Sequence, residues 1–173
     1  LTCAGFSIRE YNEKMPTNLT AEQILIRSGN IGSVKIAQKV GEEKYKSFLS
    51  KLGITGEINF DIEEVGRPIK FNWGKCPLAT VSFGHGITTT LLQIVKAYSI
   101  IVNGGFDINP MLIKSKQKDI RKKILNEEVS EKILPILRKI VATKDGTANL
   151  ANIPGYEVGG KTGTANKNFL GEY

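Results

Sequence analysis

Between residues 20 and 53 the apolar positions recur every three to four residues, and glycines interrupt the pattern at each end of a run. Thr20-x-x-Gln23 has the form of a capping box, and it opens a short helix with Ile24 and Leu25 inside it. That helix is predicted to end at Arg27-Ser28-Gly29-Asn30, where Gly29 permits a turn. A second helix follows from Ile31, with Val34, Ile36, Ala37 and Val40 as its apolar positions and Gly41 as its stop. Glu42 and Glu43 suit the first turn of a third, on which Tyr45, Phe48, Leu49 and Leu52 fall at helical spacing before Gly53. Residues 54–87 lose the period, are rich in Gly, Pro and Asn around Trp73, and read as a long loop. Residues 88–90 can cap a helix over Leu91–Val102, closed by Asn103-Gly104-Gly105. Its apolar residues run nearly all round, which predicts a buried central helix. Residues 110–113 suggest a short strand, and 128–142 an amphipathic helix that Pro135 should bend. There is no internal repeat and no linker, so 173 residues read as one domain.

Composition changes this picture little. The 40% hydrophobic and 24% charged content is that of a globular protein. A net charge of +7 would suit nucleic acid, an anionic membrane face or an anionic polymer. Nucleic acid is disfavoured: the lysines are scattered, and the one dense cluster, residues 114–123, has no aromatic side chain on which a base could stack. That cluster reads as a solvated basic face. Cys3 and Cys76 make neither a disulfide framework nor a metal cluster, and are expected to be free thiols. One histidine and no Cys-x-x-Cys argue against zinc, and no cofactor is implied. The apolar runs fall well short of the roughly 18 residues of a membrane span. The chain opens at Leu1 without a methionine or a signal peptide and is expected to be a piece of a longer protein.

The stretch Gly155-Tyr-Glu-Val-Gly-Gly160-Lys161-Thr162-Gly163-Thr164-Ala165 carries two incompatible meanings. Gly155-x-x-x-x-Gly160-Lys161-Thr162 satisfies the phosphate-cradling loop pattern, while Lys161-Thr162-Gly163 spells the third motif of penicillin-binding enzymes. A phosphate loop needs a buried strand before its first glycine and a helix starting at Lys-Thr. Here Ala148-Asn149-Leu150-Ala151-Asn152-Ile153-Pro154 is no central strand, and Gly163, Thr164, Asn166 and Asn168 are poor helix formers. A strand over residues 156–164 fits better. It would place Lys161 and Gly163 on one face and Thr162 and Thr164 on the other, with glycines where something must approach the backbone.

A second element far upstream, Ser28-Gly29-Asn30, supports the penicillin-binding reading. Arg27-Ser28-Gly29-Asn30-Ile31-Gly32, Ser82-Phe83-Gly84-His85-Gly86-Ile87-Thr88 and Gly160-Lys161-Thr162-Gly163-Thr164-Ala165 follow in an order that resembles the class B penicillin-binding proteins. Thr90-Leu91-Leu92-Gln93 stands where relatives usually have Thr-Pro-Leu-Gln. The resemblance covers essentially all 173 residues and is to peptidoglycan D,D-transpeptidases, the cell-division type preferred over cell elongation. It implies a mixed α+β fold of the penicillin-binding and serine β-lactamase kind, with a helical subdomain and part of an antiparallel sheet.

The resemblance also implies roles. Family members attack a D-alanyl-D-alanine bond with a serine and pass the acyl group to an amine of a neighbouring stem, which demands a proton path, an oxyanion hole and a cation for the terminal carboxylate. By resemblance Ser28 relays a proton, Asn30 hydrogen-bonds the acyl chain and steadies the lysine, and Lys161 supplies positive charge. Thr162 and Thr164 offer hydroxyls to the carboxylate, Gly163 keeps the cleft clear, and the Thr164 N–H forms half of the oxyanion hole. Singly, Ser28-Gly29-Asn30 could be a helix-end turn and residues 161–164 a glycine-rich hairpin. The implied partners are peptidoglycan stem peptides, the lipid-linked precursor, β-lactam antibiotics and a division or elongation glycosyltransferase complex. The implied location is the periplasmic face of the inner membrane, through an anchor outside this sequence.

One element of the pattern is missing. The family nucleophile sits in a Ser-x-x-Lys about fifty residues before the Ser-x-Asn, whereas Ser28 has 27 residues before it. Ser115-Lys116-Gln117-Lys118 is the one such tetrapeptide here, and it falls in the wrong motif order. The chain is therefore expected to hold two of three catalytic motifs, to stop short of the C-terminal sheet strands, and to be inactive alone. His85 between glycines is expected in a turn and Trp73 in packing. Asn18-Leu19-Thr20 matches a glycosylation sequon, but Thr20 is better read as a helix cap. A D,D-carboxypeptidase, a β-lactamase, or a β-lactam sensor without wall-building activity would use similar motifs.

Overall fold

The computed structural model describes residues 1–62, 65–66, 68, 73–74, 76–114 and 121–164; Ser115-x-x-Lys118 lies outside them. These residues form two compact units, one of Leu1–Lys39, Trp73–Gly86 and Ile136–Tyr173, the other of Val40–Asn72 and Ile87–Pro135.

The first unit opens with a hairpin of β1 (Thr2–Cys3) and β2 (Phe6–Ser7), paired antiparallel with Cys3 opposite Phe6. Its two-residue turn, Ala4-Gly5, has φ of 48° and 86°, the left-handed pair that matches strand twist. The capping box forms as expected: the Thr20 side chain accepts from the Gln23 N–H, the Gln23 side chain accepts from the Thr20 N–H, and α1 (Ala21–Arg27) follows. Next comes α2 (Asn30–Val40), which buries Val34 and Ala37. Gly32 is needed at the approach of these helices, because a Cβ there would stand 2.6 Å from Ile24 Cγ1. Ile8, Val34 and Ala79 form a core with Cys3, Ile31 and Phe83 packed against it. Each fully buried aliphatic side chain of this kind contributes on the order of 2 kcal/mol.

The helix α3 (Glu42–Lys51) runs as its glycine borders predict. Residues 54–87 are not all loop: α4 (Pro77–Ser82) lies within them, starting with a proline at its first position, where no N–H is needed. At six residues it is too short to show a period. His85 then turns the chain, its N–H donating to the Thr80 carbonyl at 3.0 Å. Trp73 is half-buried.

Cys3 and Cys76 are not free thiols. They are joined by a disulfide across 73 residues, with Cα atoms 5.9 Å apart. The hairpin and the N-terminus of α4 meet only in the folded chain, so neither cysteine's surroundings in sequence betray the bond. Closing a loop of this size stabilises by roughly 2–4 kcal/mol.

In the second unit α5 (Leu91–Val102) starts from the capping box of Thr90 and Gln93. It is not apolar-buried all round. Gln93, Ala97 and Ile100 are buried, while Leu91 is 87% and Val95 60% exposed. A polar residue holds the inner face: Gln93 Nε2 donates to the carbonyls of Gly53, Ile54 and Gly56 at 3.1, 3.1 and 2.6 Å, and its Oε1 accepts from the Thr90 N–H. Residues 110–113 form no strand. The last helix, α6 (Glu127–Ala142), includes Pro135 and buries Leu137, Ile140 and Val141 in its C-terminal half.

Candidate functional site

Ser28 sits where α1 ends. Its backbone is left-handed, φ 58° and ψ 45°, rare for a residue with a Cβ and costing on the order of 1 kcal/mol. The conformation persists because the surrounding bonds fix it. The Ser28 N–H donates to the Leu25 carbonyl, the Gly29 N–H to the Ile24 carbonyl at 2.9 Å, and α2 begins at once with Asn30. The Glu10 carboxylate caps that helix from outside: Oε2 accepts from the Asn30 N–H at 2.7 Å and Oε1 from the Ile31 N–H at 3.1 Å. Asn30 Nδ2 donates to the Arg9 carbonyl at 2.9 Å. Sequence reasoning missed Glu10, because a carboxylate twenty residues upstream in a polar run carries no periodic signal.

Lys161 arrives from the other end of the chain. After α6 the backbone reverses at Gly146, where any side chain would collide with the Ile140 carbonyl. Asn149–Ala151 make a short 3-10 turn rather than the buried strand that a phosphate loop demands, and residues 161–164 start no helix. Residues 157–164 have no sheet partner among the described residues, contrary to the strand expected there. The segment leans on α6 instead. The Gly160 N–H donates to the Leu137 carbonyl at 3.1 Å, and Arg138 Nη1 reaches both the Val158 carbonyl and Asn152 Oδ1, at 2.9 and 3.0 Å. A helix carbonyl has taken the donor that a neighbouring strand would have used.

The Lys161 side chain then spans 133 residues of sequence to meet Ser28, Nζ donating to Oγ at 2.8 Å. It also donates to the Thr162 carbonyl at 3.1 Å and to Thr162 Oγ1 at 3.2 Å. Three N–H donors thus meet three neutral oxygens, and among the described residues no carboxylate pairs with the ammonium. Burial accordingly lowers the Lys161 pKa below the ordinary lysine value. Thr147 Oγ1 shares a hydrogen with Thr162 Oγ1 at 2.8 Å, and Asp145 pairs with Arg27 at 2.7 Å, so the loop after α6 touches both sides of the pair.

Of the six residues singled out from sequence, Ser28, Lys161 and Thr162 form one hydrogen-bonded cluster. Asn30 lies beside Ser28 with its amide on Arg9 rather than on Lys161. Gly163 and Thr164 follow on the exposed surface, and a Cβ at Gly163 would meet nothing within 4 Å. A shallow depression of about 390 Å³ in the second unit is lined by Glu43, Lys44, Ser47, Phe48, Lys51 and Ile124 and includes none of the six residues singled out from sequence.

A left-handed serine at a helix end thus receives a hydrogen bond from a partly desolvated lysine in a Lys-Thr-Gly segment. Residues 3–172 match the penicillin binding protein transpeptidase domain family, and the chain belongs to it. It is 31% identical over 154 residues to the probable peptidoglycan D,D-transpeptidase FtsI of Caulobacter vibrioides, spanning 86% of this chain and 26% of that protein. It is 34% identical over 166 residues to the stage V sporulation protein D of Bacillus subtilis, spanning 87% of this chain and 25% of the relative. Among solved structures it resembles the TP domain of penicillin-binding protein 3 from Burkholderia pseudomallei, with a TM-score of 0.80 and 26% identity over 88% of this chain and 47% of that one. The mixed α+β architecture expected from the motifs is that of these neighbours. The chain spans about a quarter of the length of the curated relatives it matches.

Proposed function

We propose that residues 1–173 are part of the transpeptidase domain of a peptidoglycan D,D-transpeptidase of the division type, and supply the Ser-x-Asn and Lys-Thr-Gly sides of its active site. The contact of Lys161 Nζ with Ser28 Oγ at 2.8 Å carries this reading. The attacking serine comes from the family's Ser-x-x-Lys, in polypeptide outside these residues. Its oxygen adds to the carbonyl carbon of the D-alanyl-D-alanine bond, and the developing oxyanion accepts from the Thr164 N–H. The C–N bond breaks, the proton given up by the attacking serine passes through the Ser28 hydroxyl to the leaving amine nitrogen, and D-alanine departs. Because Ser28 Oγ accepts from Lys161, its own O–H is left to donate toward the substrate. An amine of a second stem then attacks the acyl ester, breaks its C–O bond and returns the proton to the serine. Thr162, Thr164 and Lys161 hold the terminal carboxylate, Asn30 the acyl chain, and Gly163 leaves room for both. A β-lactam with a free carboxylate presents the same groups and acylates the same serine.

The disulfide supports a location outside the cytoplasm, where such bonds persist. No helix among the described residues is long and apolar enough to cross a membrane. Labelling with a fluorescent penicillin tests the reading. The full-length protein is expected to label covalently and the 173-residue chain alone not to label. Stoichiometric labelling of the 173-residue chain would place the nucleophile within it, and a folded full-length protein that never labels would remove the transpeptidase assignment.

A further inference from the structure

We infer that Glu10 is a positioning residue for the reaction, acting through the Ser28-Gly29-Asn30 turn; this rests on the proposed transpeptidase reading. α2 begins without an acidic residue in its own first turn, so its first free N–H groups need an outside acceptor. The two Glu10 oxygens divide that work, Oε2 on Asn30 and Oε1 on Ile31. Gly29 packs close to the same carboxylate, its Cβ position lying 3.9 Å from Glu10 Oε1. The neighbouring Arg9 carbonyl holds the Asn30 side chain at 2.9 Å. Two consecutive residues, Arg9 and Glu10, therefore grip the side chain and the backbone of Asn30 together.

The consequence reaches Ser28 through covalent geometry. Ser28 is held left-handed between the last bonds of α1 and the first residue of α2. With α1 fixed by its capping box, the start of α2 decides whether the Ser28 hydroxyl stays within hydrogen-bond reach of Lys161. Glu10 sets that start. It touches neither Ser28 Oγ nor Lys161, so its effect must appear as altered placement of the hydroxyl rather than as lost chemistry.

The test uses the full-length protein with Glu10→Ala, Glu10→Gln and, as a reference, Lys161→Ala. The readouts are the acylation rate constant at saturating β-lactam, the concentration giving half that rate, and hydrogen exchange of the Asn30 and Ile31 amides. Glu10→Ala is expected to lower the limiting rate on the order of tenfold, leave the half-saturating concentration within about twofold, and speed exchange at both amides. Glu10→Gln, which keeps one acceptor oxygen, is expected to recover most of the rate. Should Glu10→Ala not fold, Glu10→Gln carries the test, with a smaller loss of rate and faster exchange at one amide. A folded Glu10→Ala protein that acylates at the parental rate overturns the inference. So does a loss that disappears when rates are normalised to the folded fraction. Parental acylation by Lys161→Ala would instead sink the site reading itself, and a Lys161-dependent protein indifferent to Glu10 would sink the inference alone.

Discussion

The two sides of the Ser28–Lys161 contact are built differently. The Ser28 side is fixed from three directions: the last bonds of α1, the Glu10 carboxylate on α2, and the Arg9 carbonyl on Asn30. The Lys161 side rests on one backbone bond from Gly160, two bonds from Arg138, and the Thr147–Thr162 contact. One side is an over-determined turn that can hold a strained serine, the other a segment leaning on a single helix. Positioning in this site is therefore asymmetric: the hydroxyl is placed by the fold, while the ammonium finds it through a long side chain.

The largest test of that asymmetry removes the ammonium. In the full-length protein Lys161→Ala is expected to slow acylation by a carboxylate-bearing β-lactam on the order of a hundredfold or more, with the thermal midpoint nearly unchanged. Lys161→Arg should keep part of the rate, since it restores charge and loses fit. A folded Lys161→Ala protein acylating near the parental rate would make Lys161 a structural residue. A pH profile sharpens the same point. Because burial lowers the Lys161 pKa, the ammonium loses its proton below the ordinary lysine range, so the basic limb of acylation should fall earlier than for an unperturbed lysine. Lys161→Arg should move that limb upward. In stability the sign is opposite: the unfolded chain binds the more protons between the lowered value and the ordinary one, so this group's contribution rises with pH across that window. Denaturant midpoints of the parent and Lys161→Ala measured through it should diverge in the parent's favour.

Smaller effects separate the two sides. At φ 58° Ser28→Gly should leave the protein about 1 kcal/mol more stable than Ser28→Ala, although both lose the relaying hydroxyl and should slow acylation of the full-length protein. Equal stabilities by chemical denaturation would show that the turn is not held left-handed in solution. Arg138→Ala should cost about 1 kcal/mol and slow acylation only a few-fold, because Gly160 still holds the segment to Leu137. A loss as large as that of Lys161→Ala would mean that the leaning side is the rigid one.

What sequence revealed depended on how local the physics was. The Thr20-x-x-Gln23 box and α1 follow from spacing alone, as do α2, α3, α5 and α6, whereas the second box, Thr90 with Gln93, emerged only in the structure. Yet the boxes are alike only in sequence: Gln23 is exposed, while Gln93 turns a cap into a buried hub for three carbonyls. Periodicity could not see that, nor that Leu91 and Val95 would face outward. The α4 helix hid behind Pro77 and its own brevity. The segment at 157–164 carried the right chemistry and the wrong expected neighbour, because a strand pattern does not say whether a helix carbonyl will take its donor. Ser28 and Lys161 were legible as motif residues, whereas Glu10 and the cystine belong to contacts that exist only once the chain has folded.

The cystine has a topological consequence. It closes a covalent ring that begins at Cys3, passes through Ser28 and Asn30, and ends at Cys76, leaving Lys161 on the tail outside. A protease that cuts the chain once within the ring, at the exposed Gly56 for instance, would not divide the molecule. The two pieces would migrate as one band until a reductant was added, with the serine and the lysine still tethered to each other through sulfur instead of through the main chain.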